Sequence, residues 1–160
     1  MPEAAPLVSH WRDRLDPYAA VGIPAHVTVL APFLDTGRIG AAELAALHGL
    51  FAACPAFDVT FPRCARFPGV LYLAPEPAGP FRALTGAVAA RWPETPPYGG
   101  RFPDVVPHLT VAYSEDHSVL DRVEAGLAGG LPARARIASA QLLANDQGRW
   151  TELASFRLGG

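Results

Sequence analysis

The sequence predicts an α+β protein made of two pseudo-symmetric lobes of antiparallel sheet, with helices packed outside and a central cleft. Segments with helical spacing of apolar residues alternate along the chain with segments of strand-like alternation. Their order is helix, strand, helix, strand, strand, helix, strand, helix, strand, strand. Two of these strands carry the same order of His, apolar residue, Thr and Val, beginning at His26 and His108. A pattern that recurs in this way favours two matching halves that build one site.

The first half of the chain is predicted from the spacing of its apolar residues. The stripe between residues 6 and 15 is typical of a helix that leaves Arg12 outside the apolar face and ends at Pro17. Residues 57–61 alternate between apolar and polar, as in a half-buried strand. The predicted elements are a helix over 6–15, a strand over 25–30, a helix over 41–53, and strands over 57–61 and 70–74 that are joined at Gly69.

The second half continues this alternation of helices and strands. Residues 93–103 are too rich in Pro and Gly for regular structure, and a loop of that length in a compact domain is functional or mobile. Asp116 or Ser118 can cap the helix that follows the second motif. The predicted elements are a helix over 81–91, a strand over 106–113, a helix over 119–127, and a hairpin with strands over 136–143 and 149–158.

Composition narrows the class of protein. A length of 160 residues with 50% apolar and 18% charged residues predicts one globular domain. The net charge of −2 argues against a basic surface for long nucleic acid, so no DNA partner is expected. The sequence offers no apolar run long enough for a membrane span and no signal peptide, which favours a cytoplasmic monomer. Cys54 and Cys64 match no metal or redox spacing, so free thiols are expected.

The two His-x-Thr motifs predict the chemistry. On a strand, alternate side chains share a face, so each His and its Thr point the same way, about 6–7 Å apart. Two imidazoles in one pocket can divide the roles of general base and general acid near neutral pH. The hydroxyls of Thr28 and Thr110 can donate hydrogen bonds to phosphate oxygens. This set suits in-line attack on a phosphodiester without a metal or other cofactor. The structural alternative is two histidines that merely hydrogen-bond on strands.

The pair His26-Val27-Thr28-Val29 and His108-Leu109-Thr110-Val111 resembles the two-histidine (2H) phosphoesterase superfamily. That group includes proteins named 2′-5′ RNA ligases and 2′,3′-cyclic phosphodiesterases. The resemblance extends to residues 32–33, residues 67–73, Pro107 and the closing hairpin. It implies that His26 and His108 are catalytic and that Thr28 and Thr110 bind phosphate. The sequence departs from the family pattern in beginning almost at a helix, where family lobes open with a strand, and in having Ala31 where an aromatic residue is expected.

Other side chains near the motifs are predicted as possible substrate contacts. Arginine binds phosphate in a bidentate manner, and two arginines are predicted to lie between the strands over 57–61 and 70–74. The loop over 93–103 leads into the second motif and supplies two further candidates. The full set of possible substrate-binding residues is Phe33, Arg63, Arg66, Tyr98, Arg101 and Tyr113.

The function predicted from these features is metal-independent hydrolysis of a 2′,3′-cyclic phosphodiester on a nucleotide or on an RNA end. Three alternatives remain open at the level of sequence. The same acid–base pair could run reversible 2′-5′ ligation of RNA, by microscopic reversibility. The chain could be a nucleotide-binding or RNA-end-binding module without turnover, although a pure binder has no need of two acid–base groups. It could also act on another phosphoester metabolite.

Overall fold

Helices and antiparallel strands alternate in the computed structural model, which describes residues 3–159. The α+β class predicted from sequence is therefore confirmed. The helices are α1 (Ala5–Leu15), α2 (Pro17–Ala20), α3 (Ala41–Ala52), α4 (Gly79–Arg91) and α5 (His117–Leu127). The strands are β1 (Phe57–Phe67), β2 (Val70–Glu76), β3 (Leu109–Tyr113), β4 (Ala133–Ile137), β5 (Ser139–Asp146) and β6 (Arg149–Arg157).

The larger sheet has the order β3-β2-β1-β4, with every neighbouring pair antiparallel. Strands β1 and β2 form a hairpin that turns at Gly69, where φ is +70°. β1 is longer than predicted, so Arg63 and Arg66 lie on the strand and not between strands. The register shifts between Thr60 and Arg63, and this irregularity interrupts the alternation that marks a strand in sequence.

The smaller sheet is the hairpin of β5 and β6, so the two sheets are unequal in size. The strand predicted over 136–143 is in fact two strands. Its first part belongs to β4 and pairs with β1, whereas its second part belongs to β5 and pairs with β6. One stretch of strand-like sequence therefore supplies a strand to each sheet. The pattern of its side chains does not show which neighbouring strand each part pairs with.

Both sheets are backed by helices around one continuous core. Helices α1 and α5 pack on the larger sheet, while α3 packs against β6 and α4 packs against α3. The inward face of β2 and β3 is completely buried, as the alternation in sequence indicates. Its fully buried residues are Leu71, Leu73, Leu109 and Val111.

The segment over 25–30, predicted as the first motif strand, is not a regular strand. Hydrogen bonds from distant parts of the chain hold the stretch around it, among them Trp150 N to the Val21 carbonyl (2.7 Å), Thr85 Oγ1 to the Val29 carbonyl (2.6 Å) and Tyr98 N to the Ala31 carbonyl (2.7 Å). Prolines at positions 24 and 32 flank the segment and have no N–H to give to a ladder. The second motif strand is also shorter than predicted, since β3 begins after His108.

Gly22 is required where the chain enters the first motif. Its φ is +102°, and a Cβ there would lie 2.6 Å from the Trp150 carbonyl oxygen of β6. We expect Gly22→Ala to lower the free energy of unfolding by about 1–3 kcal/mol, because it adds backbone strain and a clash with main-chain atoms. Chemical denaturation measures this loss.

Gly49→Ala is the matched control. Gly49 lies in α3 and a Cβ there would meet nothing within 4 Å. This change should leave stability equal to, or up to about 1 kcal/mol above, that of the unaltered protein. Equal stability of the two variants would contradict the assigned role of Gly22.

The two cysteines and the lengths of the helices bear on what the composition predicts. Cys54 and Cys64 are free and half-buried, and the Cys54 thiol donates to the Leu50 carbonyl (3.3 Å). Burial raises the pKa of the Cys64 thiol to about 11. Across the described residues, every helix is too short or too polar to cross a membrane.

Candidate active site

The two motif histidines are held by the same local contact. His26 Nδ1 lies 2.8 Å from the Pro24 carbonyl oxygen, and His108 Nδ1 lies 2.7 Å from the Val106 carbonyl oxygen. In each case the carbonyl belongs to the residue two positions earlier. A carbonyl oxygen can only accept, so Nδ1 carries the proton in both rings. The Nε2 atom of each neutral imidazole is therefore the basic atom.

Thr28 is in direct contact with the first of these basic atoms. Its Oγ1 lies 3.1 Å from His26 Nε2. When the ring is neutral, the hydroxyl donates its proton to Nε2. When the ring is protonated, Nε2 becomes the donor and the hydroxyl hydrogen becomes available to another acceptor. The His and Thr of the first motif thus point the same way, as their spacing predicts.

The pKa of His26 reflects the burial of its ring and the charges around it. Burial is the largest influence and lowers the pKa of His26 below 6.5, against the hydrogen bond to the Pro24 carbonyl, which raises it. Charges nearby act in turn: Arg12 lowers this pKa, Asp16 raises it, and His108 lowers it. A neutral His26 at neutral pH follows from the net downward shift.

His108 is surrounded by aromatic rings from the β1–β2 hairpin. The centroid of its ring lies 5.2 Å from that of Phe67 and 5.5 Å from that of Tyr72, both in edge-on arrangements. The Phe67 and Tyr72 rings stack on each other, with 4.4 Å between their centroids. Tyr72 is also the register partner of Thr110 across β2 and β3. Phe67 and Tyr72 are not among the site residues that the sequence predicts. The alternation of β2 contains the signal, because Leu71 and Leu73 face the core and Tyr72 faces the other way.

Thr110 is linked to Tyr113, another predicted contact residue. Burial is the largest influence on the Tyr113 hydroxyl and raises its pKa, the nearby Asp16 adds to this, and Thr110 acts against it. The Tyr113 ring lies 6.0 Å from the ring of Tyr18 in α2. This part of β3 therefore faces the end of α1 and the start of α2.

A buried ion pair lies where α1 ends. Arg12 Nε and Nη2 donate to Asp16 Oδ2 at 2.9 and 2.7 Å, and the two side chains are 5% and 2% exposed. The sequence places Arg12 outside the apolar stripe of α1 and does not indicate that its side chain is buried. The chain that follows α1 folds back over it, and Arg12 Nη2 donates to the Ile23 carbonyl there (3.1 Å).

The remaining predicted contact residues have varied surroundings. Arg63 pairs with Glu76 on the neighbouring strand, and Arg66 pairs with two carboxylates of α5, Asp121 (2.8 Å) and Glu124. Phe33 packs edge-on against Trp92 at 5.2 Å and lines a small apolar cavity of 60 Å³.

The loop that leads to the second motif also approaches the first. It contains a short turn at Pro97–Gly100, in which Tyr98 has a φ of +53° and a ring 5.7 Å from that of Phe102. The main chain of Tyr98 bonds to Ala31, just after the first motif. Arg101 is exposed. This loop is therefore positioned beside both motifs.

An open groove of 330 Å³ adjoins the second motif. Val106 and Pro107, which precede His108, form one part of its wall, and Arg82 donates to the neighbouring Val105 carbonyl (3.2 Å). The groove has both charged and apolar walls. Its lining includes Arg63, Tyr72, Glu76, Arg82, Val106 and Pro107.

The other histidines differ from the motif pair in exposure. His10, His48 and His117 are all exposed, whereas His26 and His108 are half-buried. Between residues 3 and 159, no group of three or more His, Cys, Asp or Glu side chains is arranged to hold a metal ion.

The α+β fold and the two His-x-Thr segments agree with the resemblance to the two-histidine phosphoesterases. The family model of the 2′-5′ RNA ligase superfamily matches residues 1–149, and the chain belongs to that superfamily. No curated protein sequence matches the chain.

Solved structures confirm the fold. The chain is similar to E. coli LigT complexed with 3′-AMP, with 20% sequence identity and a TM-score of 0.63, over 99% of this chain and 92% of that one. It is similar to E. coli LigT complexed with ATP, with 18% identity and a TM-score of 0.58, over 100% and 93%. It also resembles a protein described only as a phosphoesterase, with 19% identity and a TM-score of 0.61, over 100% and 94%.

Proposed function

We propose that this protein is a metal-independent phosphodiesterase that opens a 2′,3′-cyclic phosphate on a nucleotide or an RNA end. His26 and His108 act as the acid–base pair, and Thr28 and Thr110 bind the phosphate. The observation that carries the proposal is the Nδ1 contact that both histidines make with a carbonyl two residues earlier, which leaves Nε2 as the basic atom of each ring. Two rings held in this way are suited to one proton transfer each.

The proposed reaction is an in-line displacement at phosphorus. The neutral imidazole takes a proton from water at Nε2 while the water oxygen bonds to phosphorus. The bond from phosphorus to one ribose oxygen breaks, and the protonated imidazole gives its Nε2 proton to that oxygen. The product is a phosphomonoester beside a free hydroxyl, so one water molecule has been added. The hydroxyls of Thr28 and Thr110 stabilise the charge on the other phosphate oxygens.

The contact between Thr28 and His26 links phosphate binding to protonation. Thr28 donates to Nε2 while His26 is neutral, and its hydroxyl hydrogen becomes available when Nε2 is protonated. If His26 takes the proton from water, Thr28 is released as a donor at the moment when negative charge grows on the phosphate. The hydrogen bond would then be strongest in the transition state, which is the condition for catalysis.

The rest of the nucleotide is proposed to occupy the groove beside His108. Arg63 and Tyr72 line this groove, and Tyr98 and Arg101 can reach substrate from the loop that lies beside both motifs. The similar LigT structures hold 3′-AMP and ATP, which supports a nucleotide as the ligand. Phe33 and Arg66 are weaker candidates, because Phe33 packs on Trp92 and Arg66 is paired with two carboxylates.

The proposal is tested by offering three substrates in the presence of EDTA: a 2′,3′-cyclic mononucleotide, an RNA that ends in a cyclic phosphate, and a 2′-5′ linked dinucleotide. We expect opening of at least one cyclic phosphate at a rate that EDTA does not change. The His26→Ala/His108→Ala double variant, purified in the same way, controls for contaminating phosphodiesterases. Activity that disappears with EDTA, or that the double variant retains, would contradict the mechanism.

The same experiment separates hydrolysis from the alternatives. Joining of RNA ends into a 2′-5′ bond, or cleavage of the 2′-5′ dinucleotide without opening of cyclic phosphates, would favour ligation, which the family match also suggests. Binding of a nucleotide without turnover of any of the three substrates would favour a binding module.

A further inference from the structure

The buried pair of Arg12 and Asp16 is not used by the proposed reaction. Taken as whole residues, Arg12 and Asp16 are each 4% exposed. Charged residues are rarely buried to this degree. Their two hydrogen bonds, at 2.9 and 2.7 Å, converge on Asp16 Oδ2. Asp16 Oδ1 accepts from the backbone N of Tyr18 at 2.9 Å and so caps α2.

Arg12 connects this pair to the first motif. Its Nη2 donates to the carbonyl of Ile23 at 3.1 Å. The next carbonyl along the chain, that of Pro24, accepts from His26 Nδ1 at 2.8 Å. Within residues 3–159, no strand ladder includes the segment around His26, and the hydrogen bond from Arg12 helps to hold it. A short chain of contacts therefore runs from Asp16 through Arg12 and the backbone at 23–24 to the imidazole.

Stability alone gives a weak reason for such a pair. Burying two charges costs several kcal/mol per ion, and hydrophobic residues of similar volume often stabilise a protein equally well or better. The pair instead lies where its geometry and its charges both act on His26.

We propose that Arg12 and Asp16 are positioning residues for His26, holding the backbone at Ile23 and Pro24 that orients the imidazole and setting the charge around it. The effect on turnover rests on the proposed function. The effect on the imidazole itself does not, because it can be observed in the absence of any substrate.

The charges that face His26 give this proposal a directional test. They are Arg12 in α1, Asp16 between α1 and α2, and His108 before β3. Tyr113 of β3 faces the same pair, since both Asp16 and Arg12 act on it. Arg12 lowers the pKa of His26 and Asp16 raises it, so removing one member of the pair leaves the other acting alone.

The experiment titrates the imidazole of His26 by NMR in Arg12→Met and Asp16→Asn. We expect the pKa of His26 to rise in Arg12→Met, because the cation is lost and the Asp16 carboxylate is left unpaired. We expect it to fall in Asp16→Asn, because the Arg12 cation is left unpaired. Opposite shifts distinguish positioning from loss of stability, which would move both variants in the same direction.

Activity supplies the second measurement. Misplacing a reacting group by about 1 Å can cost roughly 100-fold, so kcat should fall by about 10-fold to 100-fold in both variants, with a smaller change in KM. Arg12→Lys keeps the charge but loses the two-atom contact with Asp16. This variant should leave the pKa of His26 near its original value while kcat still falls, and it remains available if Arg12→Met fails to fold.

Val123→Ala is the matched control for lost stability, because Val123 is buried in α5. It should lower the free energy of unfolding without shifting the pKa of His26. Equal or absent shifts in Arg12→Met and Asp16→Asn, or a similar shift in Val123→Ala, would overturn the proposal. If the opposite shifts occur while the unaltered protein turns over none of the substrates, the proposed function fails and the positioning of His26 stands.

Discussion

Replacing either His26 or His108 by Ala is expected to lower kcat/KM for a 2′,3′-cyclic nucleotide by roughly 10²–10⁴-fold, the usual contribution of one positioned proton transfer. Each ring also donates one hydrogen bond to a carbonyl, and its loss costs about 0.5–1.5 kcal/mol. That cost is small beside the stability of a typical domain, so both variants should remain folded. Steady-state kinetics with EDTA present measures the change.

His48→Ala is the control for this prediction. His48 is exposed on α3 and belongs to neither motif. Its replacement should leave kcat/KM unchanged. The double variant His26→Ala/His108→Ala should lose little more than the worse single variant, because residues that act as a unit are not additive. Full activity in either single variant would remove that histidine from the reaction.

Replacing Thr28 or Thr110 by Val is expected to lower kcat by roughly 10²–10³-fold, the cost of removing one donor to a developing oxyanion. Valine keeps the shape of threonine and removes only the hydroxyl. Thr28→Val also removes the hydrogen bond to His26 Nε2. The same kinetic assay measures the effect, and far-UV circular dichroism checks the fold.

The serine variants make this prediction specific to the hydroxyl. Thr28→Ser and Thr110→Ser keep the donor, so they should recover most of the activity that the valine variants lose. Thr60→Val, on β1 and outside both motifs, should leave the rate unchanged. If the valine and serine variants were equally active, the hydroxyls would have no role in binding phosphate.

Regular elements with local signals could be predicted from the sequence. The sequence offers Asp116 or Ser118 as the cap of α5, and in the structure Asp116 Oδ1 accepts from the backbone N of Ser118 at 2.8 Å. The His26 and Thr28 side chains are in contact, although the strand geometry from which the sequence predicts a shared direction is absent over 25–30. Spacing and capping act over a few residues, so they are visible in sequence.

Features that depend on distant parts of the chain could not be predicted. In the sequence, Arg12 lies on the polar side of α1. Its burial depends on the segment after α1, which returns to it at Ile23. The segment over 25–30 alternates like a strand, but neither sheet formed by residues 3–159 includes it. Both histidines make the Nδ1 contact and neither lies within a regular strand, whereas the sequence pattern predicts a strand at each.

The pH dependence of kcat/KM tests the acid–base pair most directly, because it reports the protonation of the free enzyme. We expect a bell-shaped profile for a 2′,3′-cyclic nucleotide, unchanged by EDTA. Burial lowers the pKa of His26 below 6.5. The limb of the bell that His26 controls should therefore have its midpoint below pH 6.5. His26→Ala and His108→Ala should each abolish one limb of the bell. A bell that persists in both single variants would contradict the assignment of these two histidines as the acid and the base.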